Sequence, residues 1–441
     1  MTVYDDSLKL HEKLHGKISV EVKQKIESRE DLSLMYTPGV AQPCKEIYND
    51  YKKSFTLTSR GNLVAVITDG TAVLGLGDIG PSAAMPVMEG KCALFKEFGD
   101  VDAFPICIDT KDTNEIINTI KLISKSFGGI NLEDIAAPRC FEIEKRLSEV
   151  CDIPVFHDDQ HGTAIVVAAA LLNAIKVTNK TMGNLRIVIN GAGAAGIAIA
   201  NLLSDMSFGE IIMCDKDGIL SCDVEYQNYA HNEIAKRTNP CCLHGLLQDA
   251  MKGADVVIGV SRPRVISKAM VASMNNGIVF AMANPEPEIL PLEAAEAGAA
   301  VIGTGRSDYA NQINNVLVFP GMFKGALAVR AKVISKEMKI AAAYAIADMV
   351  SEEELTKDYI IPSALCKEVA DILLQAVYYK PKTKNYELLI TYKDFHNKDN
   401  RLKYVSFSGG VADLIYDYYN GDDFKYGDIG IILGKEIKKA F

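Results

Sequence analysis

Two pairs of adjacent acids are the residues best suited to chemistry: Glu133-Asp134, in Asn131-Leu132-Glu133-Asp134-Ile135, and Asp158-Asp159, in Phe156-His157-Asp158-Asp159-Gln160-His161-Gly162-Thr163. Oxygen ligands of this kind suit hard cations such as Mg²⁺ or Mn²⁺, which keep positions open for water or substrate. His157 and His161 flank the second pair and raise a zinc alternative, but no further ligand stands at zinc spacing. An acidic pair can equally be a solvated surface or a helix cap, and Glu133-Asp134 taken alone reads that way. Asp158-Asp159 resists it, because apolar Pro154-Val155-Phe156 precedes it and an apolar helical stretch follows from Thr163, where solvation is hard to arrange.

A second chemical feature is Gly191-Ala192-Gly193-Ala194-Ala195-Gly196, which follows the strand-like Leu185 to Asn190 and opens a helical run from Ile197. In that setting Gly191 permits a tight turn, Gly193 lets the backbone approach a pyrophosphate, and Gly196 allows close packing of helix on strand; Ala194 and Ala195 start the helix whose free N–H groups face the phosphates. The bland alternative is a tight packing turn. The next strand, Ile211 to Cys214, ends in Asp215, about 20 residues past the loop, where an acid accepts the ribose hydroxyls. An acid there favours NAD and repels the 2′-phosphate of NADP, with Lys216 softening the preference, so NADP stays possible.

These groups need α/β scaffolding, and the chain supplies it. β-rich runs at Leu63 to Thr68 and Ala103 to Ile108 alternate with helical patterns in the first 157 residues. An Ala-rich stretch from His161 to about Asn179 predicts a long buried helix joining two domains. Beyond it, Leu185 to Asn190, Glu210 to Cys214, Asp255 to Val260, Gly277 to Ala283 and Ala300 to Ile302 read as strands buried on both faces of a parallel sheet. The predicted organisation is an α/β N-terminal domain (1–157), a Rossmann-type doubly wound domain (158–379) and a C-terminal appendage (380–441).

Composition sets outer limits. With 47 basic and 57 acidic residues, net charge −10, the 441-residue chain is a poor match for nucleic acid or an anionic membrane. Its ten cysteines show no C-x-x-C pair and read as reduced thiols. Met1 to Lys13 is charged, without a secretory apolar core, and the apolar stretch Ala164 to Ile175 is too short to span a bilayer. The expectation is a cytoplasmic protein.

Taken in order, further motifs resemble those of malic enzymes of the short bacterial type: Tyr36-Thr37-Pro38-Gly39-Val40-Ala41, the glycine-rich Thr68 to Gly80, Glu89 to Lys96, both acidic pairs, Ala283-Asn284-Pro285 and Asn314 to Gly321. The resemblance implies oxidative decarboxylation of L-malate to pyruvate and CO₂, with NAD (or NADP) and Mg²⁺ or Mn²⁺, in a homodimer. It implies Glu133, Asp134 and Asp159 as metal ligands, Lys91 as general base, Tyr36 as general acid and Asp158 as the neighbour that tunes Lys91. Asn284, with Asn314 or Asn315, would contact malate and nicotinamide. A lysine held neutral by burial and nearby cations is a suitable base for the C2 hydroxyl. Malolactic conversion, and a catalytically silent scaffold, are the alternatives.

Larger members of that family carry an arginine in the segment matching Asp69 to Gly77 that grips a malate carboxylate; this chain has Ala72, as the short members do. The grip must then come from backbone N–H groups near Gly75 to Gly77 or from another basic side chain. Val405 to Asp413 and Tyr426 to Gly430 are similar to the end of the reactivating factor of ethanolamine ammonia-lyase. The rest of that factor's ATPase elements are missing, which points to packing or assembly.

Overall fold

Four short strands, β1 (Leu63–Thr68), β2 (Asp102–Cys107), β3 (Gly129–Leu132) and β4 (Val155–His157), form a wholly parallel sheet in the order β2-β1-β3-β4. The computed structural model describes residues 2–73 and 75–378; the expected appendage at 380–441, with its motifs, lies outside them. Register decides what happens at the carboxyl edge. Ile67 pairs with Leu132 and Leu132 with His157, so one step further along the chain Thr68, Glu133 and Asp158 emerge side by side. The two acidic pairs, 25 residues apart in sequence as Asp134 and Asp159, are thereby brought to one place.

A second sheet holds β5 (Leu185–Asn190), β6 (Gly209–Asp215), β7 (Gly218–Ile219), β8 (Val256–Gly259), β9 (Ile278–Ala281) and β10 (Val301–Thr304), in the order β10-β9-β8-β5-β6-β7. All pairings are parallel except β6 with β7. β5 is followed on one side by β6 and on the other by β8, so strand order reverses there, and the glycine loop leaves β5 at that crevice. Each predicted strand is present within a few residues. β3, β4 and β7, two to four residues long, escape sequence reading because so few residues show no periodicity.

Between the sheets runs the helix Asp158–Val177, which starts three residues before the predicted His161 and puts Asp158 and Asp159 in its first turn, where the helix N-terminus favours negative charge. It meets the length and apolarity of a bilayer span, yet 78% of that window is buried among the described residues, as in a core helix. Asn173, the polar interruption of this helix, is fully buried and donates through Nδ2 to Ala347 O (2.8 Å) and Ile360 O (3.0 Å), so its amide is satisfied.

Before β1 the chain behaves differently. Helices Val3–Leu14, Arg29–Met35 and Ala41–Asn49 contain no buried residue. The first two carry capping boxes, Thr2 with Asp5 and Ser28 with Asp31, so local bonding sustains them. Leu8, Leu14, Leu32, Leu34, Met35 and Tyr48 remain exposed.

Candidate active site

Lys91 lies on the helix Gly80–Gly99, only 8% exposed, and points at the carboxyl edge of the first sheet. Its Nζ is 2.5 Å from Asp158 Oδ2 and 2.8 Å from Glu133 Oε1. The Phe319 ring lies under the ammonium, 4.1 Å from Nζ to the centroid, and belongs to an aromatic cluster with Phe95, Phe156 and Phe323. Glu133 is also held by Asn131, whose Nδ2 donates at 2.8 Å. Gly162, one helical turn beyond Asp158, is needed for this arrangement. A Cβ there would sit 1.8 Å from Asp158 Oδ1. The motif's glycine thus makes room for its own acid.

Electrostatics in this cluster follow from burying more acid than base. Burial raises Asp158 to about 7, Glu133 to about 7, Asp134 to about 9 and Asp159 to about 6; Lys91 opposes the rise in each, and neighbouring carboxylates add to it. Burial alone would push Lys91 down, but Asp158, Glu133 and Asp159 outweigh it and hold the ammonium well above the usual lysine range. The adjoining carboxylates thus work against the burial and nearby cations expected to keep Lys91 neutral.

Asp134 and Asp159 adjoin this pair. Asp134 N donates to Asp159 Oδ2 at 2.8 Å, and Asp134 Oδ2 is buried without a hydrogen-bond partner. A buried, partnerless carboxylate oxygen among mutually repelling acids fits a hard divalent cation, both in donor type and in charge. Among the described residues, however, no three His, Cys, Asp or Glu side chains converge as a finished chelate. Asp159 Oδ2 accepts from the Asp134 amide, and Glu133 Oε1 meets Lys91. The zinc alternative finds no three converging ligands among the described residues, and His161 Nε2 is engaged by Glu144 Oε1 at 2.9 Å.

At the glycine loop, Gly191 has φ +125° and lies against Val260 O, while a Cβ on Gly196 would meet Gly191 O at 1.8 Å. Gly193 caps the helix Ala194–Asp205, and a Cβ on it would meet nothing within 4 Å. Ala194 and Ala195 form that helix's first turn. Asp215 ends β6, but its Oδ1 is already taken by Asp217 N (2.8 Å) and Gly218 N (3.1 Å), leaving Oδ2 for a ribose. His231, unmarked by any motif, joins the two features: its Nε2 is 3.0 Å from Ala192 O and its Nδ1 3.8 Å from Asp215 Oδ2. Buried Glu288 was also missed. It accepts from Ser261 N (2.8 Å) and Ala283 N (3.0 Å), clamping the turns after β8 and β9 beside Asn284.

The remaining expected residues fall into two groups. Asn315 lies beside the Lys91 cluster, where a Cβ on Gly162 would meet both Asp158 Oδ1 and Asn315 Cβ (3.3 Å), whereas Asn314 Oδ1 accepts from Val316 N (3.0 Å) and caps the turn. Asn284 faces the glycine-rich segment, since a Cβ on Gly75 would lie 3.7 Å from Asn284 O. Tyr36 is 68% exposed, and no hydrogen bond joins its hydroxyl to the cluster. Near Ala72 a basic side chain does occur: Arg139 reaches Asp69 Oδ2 (2.9 Å) and Thr71 Oγ1 (3.0 Å). Leu76 N and Gly77 N are spent on Val73 O within the turn.

Comparison with known proteins gives matches along the chain. Residues 15–148 match the model of the malic enzyme N-terminal domain and residues 160–377 that of the malic enzyme NAD binding domain. Residues 326–441 match the ethanolamine utilisation protein EutA. A Bacillus subtilis bifunctional malic/malolactic enzyme is 55% identical over 86% of this chain and 92% of its own length. A Geobacillus stearothermophilus NAD-dependent malic enzyme is 56% identical over 86% of this chain and 78% of its own. The crystal structure of a Thermotoga maritima NAD-dependent malic enzyme is similar with a TM-score of 0.82 and 48% identity, covering 85% of this chain and 99% of that one.

Proposed function

The chain belongs to the malic enzyme family, and on that premise we propose that the Lys91 cluster is where L-malate is oxidised and decarboxylated. The reaction takes the C2 alcohol of malate to a ketone, its hydride passing to the nicotinamide, and then breaks the C3–C4 bond to give pyruvate and CO₂. The observation that carries this assignment is the buried contact of Lys91 with Asp158 and Glu133 at the carboxyl edge of the first sheet.

Residues 1–157 supply Glu133, Asp134 and Lys91, and residues 158–379 supply Asp158, Asp159 and the dinucleotide loop. Glu133, Asp134 and Asp159 would hold Mg²⁺ or Mn²⁺, which when bound supplies Lewis-acid polarisation of the C2 oxygen. Lys91 takes the C2 hydroxyl proton, and for that its ammonium must first lose one. Committing Glu133 and Asp159 to ligation would withdraw two of the charges that keep it protonated, leaving Asp158, 2.5 Å from Nζ, to orient the amine. Arg139 is the basic side chain near Ala72, and it would have to leave Asp69, Thr71 or Lys111 O to grip a malate carboxylate. Gly191, Gly193 and Gly196 seat the pyrophosphate, and Asp215 Oδ2 favours NAD over NADP.

Tyr36 protonates C3 at the end of the reaction, and its exposure in a segment without buried residues is explained if a second copy covers that segment. A homodimer is therefore part of the proposal; a particle the size of one chain by sedimentation would remove it. Activity is tested by reduced-nicotinamide formation from L-malate with NAD or NADP and Mn²⁺, and lost with EDTA. No activity with either dinucleotide would overturn the assignment. The Bacillus subtilis relative's name adds a second reading, malolactic conversion, which accumulates lactate without net NADH.

A further inference from the structure

Outside the active site, two exposed thiols are in contact: Cys222 Sγ and Cys242 Sγ lie 3.7 Å apart. Bonds on either side of the sulfurs fix their approach. Fully buried Asn239 donates its N–H to Ile211 O (2.7 Å) and its Nδ2 to Leu220 O (3.1 Å) and Leu243 O (2.8 Å), while its Oδ1 accepts from Leu243 N (2.8 Å). That ties the Cys241-Cys242 turn to the stretch just before Cys222. On the far side, His244 Nε2 pairs with Asp223 Oδ2 at 3.0 Å. Ser221 N donates to Tyr226 Oη at 2.8 Å, and Cys242 itself sits in the left-handed region at φ 48°. The two chain segments are thus clamped both before and after the sulfurs.

We propose that Cys222 and Cys242 are a reversible modification site, a thiol pair that reacts with low-molecular-weight disulfides and closes to an intramolecular disulfide that alters dinucleotide affinity. One thiolate attacks the small disulfide RSSR, forming a mixed disulfide and releasing RS⁻. The second thiolate then attacks the protein sulfur, releasing another RS⁻. Two protein thiols are oxidised by two electrons, and one RSSR is reduced to two RSH. Closure shortens the sulfur separation from 3.7 Å to about 2.05 Å.

The effect on affinity rests on reading Asp215 as the ribose acid. The clamped segments are bonded to the hairpin that presents it: Leu220 N donates to Met213 O, Ile219 N to Gly245 O, and Gly218 N to Asp215 Oδ1. Drawing the 239–245 turn toward Cys222 therefore displaces the turn around Asp215.

The test incubates the full chain in glutathione buffers of graded oxidation, blocks free thiols, and maps the tryptic peptides 217–236, holding Cys222, and 238–252, holding Cys241 and Cys242. The expected result is a cross-link between these peptides that is reversed by dithiothreitol, retained in Cys241→Ser, and absent in Cys222→Ser and Cys242→Ser. The dinucleotide KM of the oxidised parent should shift severalfold, with Cys222→Ser unmoved. A Cys241–Cys242 link, a lasting glutathione adduct, or no cross-link would overturn the site. A cross-link that leaves KM unchanged would overturn its effect on affinity. Should malate oxidation itself be missing, the functional reading fails while the peptide map still decides the disulfide.

Discussion

The glycine loop separates two roles that one motif assigns together, and a pair of alanine substitutions distinguishes them. At Gly196 the added Cβ would stand 1.8 Å from Gly191 O, where real Cβ contacts stay beyond 3.0 Å, so the turn must open by more than an ångström between β5 and its helix. Overpacking of this kind costs about 1–3 kcal/mol, or more where backbone must move. Gly196→Ala should therefore lower the thermal midpoint by several degrees whether or not dinucleotide is present. At Gly193 the Cβ meets no protein atom within 4 Å, so Gly193→Ala should denature like the parent. The free space is where a pyrophosphate would lie against backbone, and a methyl group there should raise the dinucleotide Kd by about 10- to 100-fold, or about 1.4–2.8 kcal/mol. Equilibrium titration with NADH and a thermal melt of each variant measure both quantities. If Gly193→Ala binds NADH as the parent does, or melts as low as Gly196→Ala, the division of roles is refuted.

Lys91→Ala should reduce kcat by about 10²–10⁴, and, by leaving Glu133 and Asp158 buried without their cation, should also lower stability by about 3–5 kcal/mol less whatever protonation recovers. Steady-state rates and chemical denaturation check the two effects separately. Asp215→Ser should raise the NADP-to-NAD ratio of kcat/KM at least about tenfold, the equivalent of about 1.4 kcal/mol; an unchanged ratio would remove Asp215 from cofactor choice. Gly162→Ala improves intrinsic helix propensity by about 1 kcal/mol, yet it should lose malate oxidation as Asp158→Asn does, because its Cβ displaces the Asp158 carboxylate. Retained activity in that variant would mean Asp158 is dispensable. Mn²⁺ at about 100 times its Kd should stabilise the apoprotein by about 2.7 kcal/mol, and Asp134→Asn should abolish that shift.

The parallel strands and glycine loop were legible because long apolar runs and fixed spacing encode them locally. Asp158-Asp159 was legible too, since acids between two apolar elements are hard to solvate. What pairs them with Glu133 was not: it depends on the register Leu132↔His157 across strands β3 and β4, four and three residues long. His231, Glu288 and Arg139 are single residues whose importance comes from the carbonyl, amides or acid they meet in space. Gly162 did carry a signal, a glycine one turn after an acid in an otherwise Ala-rich helix. Of the carboxylates that raise the proton affinity of Lys91, Asp158 was legible as its neighbour, whereas Glu133 and Asp159 reach it only through the fold.

The protonation of Lys91 bears on how the site works. The cluster combines Lys91 with four acids whose proton affinities are raised by burial, and those acids in turn raise that of Lys91. A lysine kept protonated cannot accept a proton from malate. On the proposed ligand set, Glu133, Asp134 and Asp159 would bind a cation deprotonated, and the charge Glu133 gives to the cation would be withdrawn from Lys91. On that proposal, metal binding and activation of the base are coupled through one side chain. Glu133→Gln should uncouple them: its uncharged amide no longer holds the ammonium, so Lys91 loses its proton more readily while the cation binds more weakly. Raising Mn²⁺ should then recover much of the lost rate in Glu133→Gln but none in Lys91→Ala, and equal failure of both variants at saturating Mn²⁺ would break the coupling argument.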